Sequence, residues 1–136
     1  MSTNCLFCKI IAGEIPATKI YEDDKSLAFL DINPVNPGHT LVIPKNHSEN
    51  LEEISEEDLC DLIKSVKRVG GAIKESLSPN GYNVGLNNGS GSGQIVPHIH
   101  FHVIPRKEGD GHKLWSQGKY EEEEAEEVAS QIKAKL

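Results

Sequence analysis

Long hydrophobic runs are missing from this sequence of 136 residues. Its longest apolar stretches, such as Leu27 to Leu30, fall far short of the roughly 20 residues that a membrane-spanning helix needs. Polar residues interrupt the first twenty positions, so Ile10-Ile11-Ala12 is too short for the apolar region of a secretory signal. The sequence therefore predicts no contact with a membrane and, by default, a cytoplasmic protein.

Cysteine and positive charge are also scarce. Three cysteines, an odd number in a reducing compartment, do not form a disulfide framework, and metal binding by some of them explains them better. The formal net charge of −7 argues against a nucleic-acid polymer as partner, because such a partner requires a basic surface. A single nucleotide is not excluded, since a few local donors can hold it.

The hydrophobic pattern predicts one α+β domain over residues 1–136. Ser55 is expected to cap a long helix, and apolar residues follow it at three- and four-residue intervals up to Leu77. We expect an antiparallel, five-stranded meander sheet that this helix covers on one face, with a short N-terminal helix and a C-terminal helix docked through Val128 and Ile132. The strands are predicted at 18–22, 27–31, 39–44, 82–88 and 98–104, and the two other helices at 5–12 and 121–136.

Three histidines alternate with bulky apolar residues in the segment His98-Ile99-His100-Phe101-His102-Val103-Ile104. This alternation is typical of a strand with unlike faces, and it would place successive imidazoles on one face about 6.6 Å apart. Imidazole binds metals and can attack an electrophile near neutral pH. Because the spacing is too wide for all three rings to bind one zinc ion, divided roles are favoured over a pure metal site or three structural histidines.

A glycine-rich segment, Gly89-Ser90-Gly91-Ser92-Gly93, leads into these histidines. It matches neither of the two common phosphate-binding motifs, because no Lys-Ser/Thr pair and no helix follow it. Two interpretations stay open: a flexible linker, or an anion cradle made of backbone N–H groups beside the imidazoles.

The segment from His98 to Ile104 resembles the motif of the histidine-triad (HIT) family. Similarity to the family extends to Leu27-Ala28-Phe29-Leu30-Asp31-Ile32-Asn33-Pro34, to Pro37-Gly38-His39-Thr40-Leu41-Val42-Ile43-Pro44-Lys45 and to Gly93-Gln94. It covers about residues 5–105, the expected domain core, and leaves 106–136 as a C-terminal tail and helix. The chain looks most similar to the compact, Hint-type nucleotide hydrolases, which implies a HIT-like fold and a twofold dimer whose two sheets join into one.

The resemblance implies nucleotidyl transfer to water. His100 would attack the α-phosphorus of a nucleoside 5′-phosphoramidate or dinucleoside polyphosphate and form a nucleotidyl-histidine intermediate, from which water releases the monophosphate. His102 would hydrogen-bond the phosphate, and His39 would support the nucleophile. The other implied nucleotide-binding residues are Leu6, Phe7, Ile10, Phe29 and Ile32 at the base, Asp31 at the ribose, and Asn87 with the amides of Gly93, Gln94 and Ile95 at the phosphoryl oxygens.

Alternatives to this function remain. A non-catalytic nucleotide-binding adaptor or sensor would use the same pocket with negligible turnover, and a zinc-binding structural module would use the histidines for metal only. Without the resemblance, the five apolar residues at the base would be interpreted simply as core. One position departs from the family: some branches carry a hydroxyl residue after Gln94, and here Ile95 leaves only its backbone N–H as a donor to the leaving group.

Cys5-Leu6-Phe7-Cys8 is a second chemical motif. Two thiolates need two further ligands to complete a tetrahedral zinc site. The resemblance assigns three of the six histidines to the nucleotide site, and His112 lies in a polar tail. His47 and His98 therefore remain as candidates for the two further zinc ligands. Relatives that keep the cysteine pair use two cysteines and two histidines, so the resemblance predicts that Cys5, Cys8, His47 and His98 bind a structural zinc ion.

Overall fold

The computed structural model describes residues 4–136 and contains three α-helices and five strands within that range. The elements in chain order are α1 (Leu6–Ile11), β1 (Lys19–Glu22), β2 (Ser26–Leu30), β3 (Thr40–Pro44), α2 (Glu56–Leu77), β4 (Gly81–Leu86), a 3₁₀ turn (Ser90–Ser92), β5 (Phe101–Arg106) and α3 (Glu124–Lys133). The predicted α+β class is confirmed. No helix within residues 4–136 is long and apolar enough to span a membrane. The single domain stays a prediction, and its residues 1–3 lie outside the described range.

All neighbouring strands of the sheet are antiparallel, in the spatial order β1-β2-β3-β5-β4. This order departs from a simple meander at its last step. The chain leaves β3 through α2, forms β4 at the sheet edge, and returns with β5 in the space between β3 and β4. The strand that carries His102 therefore lies inside the sheet, where Leu41 and Gly85 pair with that histidine from the two sides.

Each face of the sheet packs against a different helix. Ala28, Val42, Ile99 and Val103 form one core with the apolar side of α2. That helix begins as predicted, because the Ser55 Oγ accepts the Asp58 N–H at 3.1 Å. On the other face Leu27, Phe29, Leu41 and Ile43 pack against α1, where the cysteine pair lies. A helix as short as α1 is unstable alone, so its place depends on this packing.

The histidine segment differs in detail from the predicted strand. The strand β5 begins at Phe101 rather than at His98. Pro97 has no N–H to donate to a ladder, and the Ile99 N–H donates instead to the Ser48 carbonyl at 2.8 Å. The alternation nevertheless persists, because Ile99 and Val103 are buried under α2 while the imidazoles lie on the opposite face.

The C-terminal helix is shorter than predicted and has no buried residue. The expectation that Ile132 docks it is wrong, since the Ile132 side chain is 58 % exposed, and Val128 is only half-buried. The row of glutamates before and within α3 is exposed to solvent as predicted.

Gly38 is a position where only glycine fits, and it directly precedes His39. Its φ is +96°, and a Cβ there would lie 2.5 Å from the Leu77 Cδ1 and 3.1 Å from the Pro105 Cγ. We expect Gly38→Ala to lower the free energy of unfolding by about 1–3 kcal/mol. Gly71→Ala is the matched control, because that Cβ meets open space in α2 and should stabilise the protein by about 0.5–1 kcal/mol. Urea denaturation measures both, and equal stabilities would contradict the prediction.

Candidate active site and metal centre

The predicted nucleotide-binding residues surround one cavity on the sheet face opposite α2. The cavity has a volume of about 490 Å³, which is within the range of small-molecule sites. Eleven of the twelve predicted residues line it, and Gln94 is the exception. Those that line it are Leu6, Phe7, Ile10, Phe29, Asp31, Ile32, Asn87, Gly93, Ile95, His100 and His102.

His100 is held in one tautomer by a backbone carbonyl. Its Nδ1 lies 2.7 Å from the His98 carbonyl oxygen, which can only accept, so Nδ1 carries the proton. Burial lowers the pKa of His100 more than the His98 carbonyl and the Asp31 carboxylate raise it. The ring is therefore neutral at pH 7, and Nε2 has a free lone pair. A neutral imidazole with a free Nε2 is a competent nucleophile.

His39 and His102 form a hydrogen-bonded pair whose direction is also fixed. The Val35 N–H donates to the His39 Nδ1 at 3.1 Å, so the proton of the neutral His39 ring is on Nε2. That Nε2–H donates to the His102 Nδ1 at 2.8 Å. Burial lowers the pKa of His39, against the nearby Asp31 carboxylate, and burial together with His100 and His39 lowers the pKa of His102 to about 4. At neutral pH the free nitrogen of His102 is thus an Nε2–H donor.

Asp31, His39 and His102 are near enough to one another to hold a metal ion by distance alone. The hydrogen bonds argue against that use. A metal on the His39 Nε2 would displace its proton, while the Val35 N–H keeps Nδ1 an acceptor, so the ring would have to become an anion. This cluster is better suited to hydrogen bonding than to metal binding.

The glycine-rich segment is a folded loop rather than a linker. The Gln94 carboxamide accepts the Gly89 N–H at 2.8 Å and donates to the carbonyls of Glu49 and Val96. Its side chain is therefore used to fix the loop and is not available to a ligand.

Two hydrogen-bond donors of this loop region remain available at the cavity. The Gly93 and Gln94 N–H groups already donate to carbonyls inside the loop, at Ser90 and Gly89. Within residues 4–136, neither the Ile95 N–H nor the Asn87 carboxamide has a partner. The predicted anion-binding donors are thereby narrowed to these two groups, whose residues line the same cavity as His100 and His102.

Cys5, Cys8, His47 and His98 bring four ligand atoms together near the start of α1. The His98 Nδ1 lies 3.4 Å from the Cys5 Sγ, 3.6 Å from the Cys8 Sγ and 3.1 Å from the His47 Nδ1. Ligands around a tetrahedral zinc ion would be about 3.3–3.8 Å apart, from bonds of about 2.0–2.3 Å. The four residues are positioned to bind a metal ion.

The tautomer of His98 suits that role. Its Nε2 lies 2.8 Å from the Pro44 carbonyl oxygen, so Nε2 carries the proton and Nδ1 is free to ligate. Burial lowers the pKa of His98 to about 4, which keeps the ring neutral as metal binding requires. The Cys8 N–H, at 3.4 Å from the Cys5 Sγ, adds a donor to that sulfur.

Some residues at the cavity were not predicted from the sequence. Leu41 could have been found from the alternation along β3, since His39, Leu41 and Ile43 share a face. The residues of the turn after α1 follow no hydrophobic period, so the sequence does not indicate that they line the cavity. The hydrogen bond from the Val35 N–H to His39 likewise leaves no pattern in the sequence. The cavity residues without a prediction are Ile15, Pro16, Ala17, Leu30, Asn33, Leu41 and Val96.

Comparison with known proteins gives close matches. A model of the HIT domain matches residues 12–109. An uncharacterized HIT-like protein of Methanocaldococcus jannaschii is 51% identical over 95% of this chain and 98% of its own length. The adenosine 5′-monophosphoramidase of Schizosaccharomyces pombe is 48% identical over 76% of this chain and 74% of its own length. An adenylylsulfatase of Arabidopsis thaliana is 42% identical over 85% of this chain and 58% of its own length.

Solved structures agree with the fold. The crystal structure of a HIT family member from Bacillus subtilis is 43% identical, with a TM-score of 0.89 over 98% of this chain and 97% of that one. A zinc-bound histidine triad family protein from Mycobacterium smegmatis is 36% identical, with a TM-score of 0.79 over the whole of both chains.

The hydrogen bonds predict the tautomer of each imidazole at the cavity. At pH 7, ¹⁵N NMR of the side chains should show the proton on Nε2 in His39 and His102 and on Nδ1 in His100. The exposed ring of His112 is the internal reference, because no such bond constrains it. A His100 signal typical of Nε2–H would contradict the hydrogen bond from its Nδ1 to the His98 carbonyl.

Proposed function

Since the chain belongs to the HIT domain family, we propose that it is a nucleotide hydrolase that uses His100 as its nucleophile. One observation carries this proposal. The His98 carbonyl holds the proton of His100 on Nδ1, and the free Nε2 belongs to a ring that lines the nucleotide-sized cavity. A structural histidine would need a partner for that nitrogen, and none is present within residues 4–136.

Catalysis follows from the groups around this ring. The His100 Nε2 attacks the α-phosphorus, the bond to the leaving group breaks, and a nucleotidyl-histidine intermediate forms. The Nε2–H of His102, the Ile95 N–H and the Asn87 carboxamide donate to the phosphoryl oxygens, whose charge grows in the transition state. Water then attacks the phosphorus, releases the nucleoside monophosphate and regenerates the neutral ring.

The cavity also has groups suited to bind the base and the ribose of a nucleoside. Phe7, Ile10 and Phe29 are buried and offer an apolar wall for a base, while Asp31 offers a carboxylate to ribose hydroxyls. Two relatives support a substrate with an adenosine 5′-phosphoryl group, since they are named adenosine 5′-monophosphoramidase and adenylylsulfatase. We infer substrates that are nucleoside phosphoramidates or dinucleoside polyphosphates, cleaved at the α-phosphorus.

We infer that the metal bound by Cys5, Cys8, His47 and His98 is zinc, in a structural role. All four ligand positions come from the chain, so no position remains open for a reacting water. The zinc-bound relative supports the choice of metal. Bound there, zinc would join α1 and the loop after β3 to the segment that precedes β5.

We also infer a twofold homodimer in the cytoplasm. β4 is an edge strand whose outer backbone groups have no neighbouring strand within residues 4–136, so a second copy can extend the sheet there. Sedimentation at micromolar concentration tests the assembly, and a monomer under those conditions would remove it.

His100→Ala should lower turnover of a dinucleoside polyphosphate by at least about 10³-fold, because it removes the nucleophile. Binding of AMP should persist, since the rest of the cavity is intact. Mass spectrometry of wild-type protein quenched during turnover should show a nucleotidyl adduct on His100. His112→Ala, a change of an exposed histidine, is the control. Wild-type protein that binds AMP without turnover dependent on His100 would instead indicate a nucleotide-binding adaptor or sensor.

Cys8→Ser should lower stability far more than Cys60→Ser. Cys8 is buried among the metal ligands, whereas Cys60 is an exposed helix residue. Loss of a ligand should cost several kcal/mol, which lowers the melting temperature by at least about 10 °C. Calorimetry measures the stability and elemental analysis the zinc. Wild-type protein with less than about a tenth of an equivalent of zinc, purified without chelator, would contradict the zinc site.

A further inference from the structure

We propose that Asp110 is a positioning residue of the candidate active site, which acts by holding the loop that orients His39. This inference rests on the proposed function, since the proposed reaction uses the hydrogen-bonded pair of His39 and His102. Asp110 follows β5 and lies beyond the domain core expected at about residues 5–105. Its side chain does not line the cavity, so it can act on the reaction only through other residues.

The loop between β2 and β3 contains the donor that orients His39. Residues 31–39 form no helix or strand, and two of them are prolines, which have no N–H to donate. Two hydrogen bonds nevertheless join His39 to this loop. The Val35 N–H donates to the His39 Nδ1 at 3.1 Å, and the His39 N–H donates to the Asn36 carbonyl at 3.0 Å. The orientation of the ring therefore depends on where residues 35 and 36 lie.

Asn36 joins this loop to the segment that follows β5. Its carboxamide donates to the Pro105 carbonyl at 2.9 Å and to the Asp110 Oδ2 at 3.0 Å. No other side chain of residues 32–38 makes a hydrogen bond within residues 4–136. The partly buried carboxamide of Asn36 is thus the one side-chain hydrogen-bond anchor that this irregular loop has in the described part of the chain.

Asp110 is itself held in place by several donors. Arg106, the last residue of β5, forms a bidentate pair with it, from Nε to Oδ2 at 2.7 Å and from Nη2 to Oδ1 at 3.0 Å. The backbone N–H groups of Lys107 and His112 donate to the same carboxylate, at 3.3 Å and 3.0 Å. The Arg106 guanidinium lowers the pKa of Asp110, so the carboxylate is ionised at pH 7. A bidentate pair of this kind fixes position as well as charge.

These contacts form a continuous connection from the end of β5 through Asp110 and Asn36 to the His39 ring. Because β5 also carries His102, the connection fixes both members of the His39–His102 pair relative to one strand. The bond between the two rings, 2.8 Å long, is directional, so a rotation of His39 would also turn the His102 donor. Asp110 is therefore expected to affect the rate of the chemical step without contacting the substrate.

Asp110→Asn tests the residue, and Asn36→Ala tests the connection. Asp110→Asn keeps the shape of the side chain but turns an NH₂ group toward donors that need an acceptor. Each change should lower kcat for a dinucleoside polyphosphate at least about tenfold, since a misplacement of about 1 Å can cost about 10²-fold. KM and the affinity for AMP should stay within about threefold. The double variant should lose no more than the larger single effect, because both changes break one connection.

A local readout separates positioning from a general loss of stability. In both variants the Val35 and His39 amides should exchange hydrogen with solvent at least about tenfold faster, and the ¹⁵N signal of the His39 Nδ1 should move toward that of a ring bonded to water. Asn83→Ala is the matched control. Asn83 is half-buried like Asn36, and its Oδ1 accepts the Arg106 Nη1–H at 2.9 Å, but its side chain makes no bond to the loop. Its exchange rates, ¹⁵N signal and kcat should match those of the wild type.

Each other outcome overturns one claim. A wild-type kcat in Asp110→Asn or in Asn36→Ala would overturn the positioning role, and so would an equal loss of kcat in Asn83→Ala. Unchanged exchange of the Val35 and His39 amides would show that Asp110 does not hold the loop. Wild-type protein without turnover would overturn the proposed function instead, and the exchange rates would still decide whether Asp110 fixes the His39 ring.

Discussion

The candidate site depends on His98, which takes part both in the metal-binding cluster and in the hydrogen bond that orients His100. The ring is fully buried, donates through Nε2 to the Pro44 carbonyl and turns Nδ1 toward the two cysteines and His47. The carbonyl of the same residue accepts the Nδ1 proton of His100 and so leaves the Nε2 of that ring, the proposed nucleophile, with a free lone pair. A shift of this one residue would leave buried polar groups without partners, which is costly. The candidate metal centre and the proposed nucleophile therefore both depend on the position of this one residue.

The fold places this residue between two packed layers. Because α2 covers one face of the sheet, Ile99 and Val103 are buried there and the imidazoles must face the other side. Insertion of β5 beside β3 brings His102 opposite Leu41, close to His39, which directly precedes β3. The short helix α1 then closes the same side. Position within the sheet, rather than any local propensity, thus brings the histidines to the cavity.

Patterns that are local in the sequence were sufficient for much of this structure. The alternation after Pro97 predicted the two faces, and the cap at Ser55 with its apolar spacing predicted α2. Contacts between residues that are distant in sequence could not be predicted. These contacts include the hydrogen bond from the Ile99 N–H to the Ser48 carbonyl and the β3–β5 pairing that changes the strand order. The amphipathic pattern of α3 predicted docking, but a pattern of this kind shows only that a helix has an apolar side, not that a surface receives it.

Burial of the histidine rings determines their charge, and hence which chemical groups they offer to the cavity. The apolar surroundings of His100 and His102 keep both rings neutral, since a charged ring would lose its solvation there. Neutrality leaves a free lone pair on the His100 Nε2 and a proton on the His102 Nε2, so the two rings offer the cavity one acceptor and one donor. It also removes the imidazolium that would serve as an acid. Burial therefore keeps both rings neutral and excludes a cationic ring from the cavity.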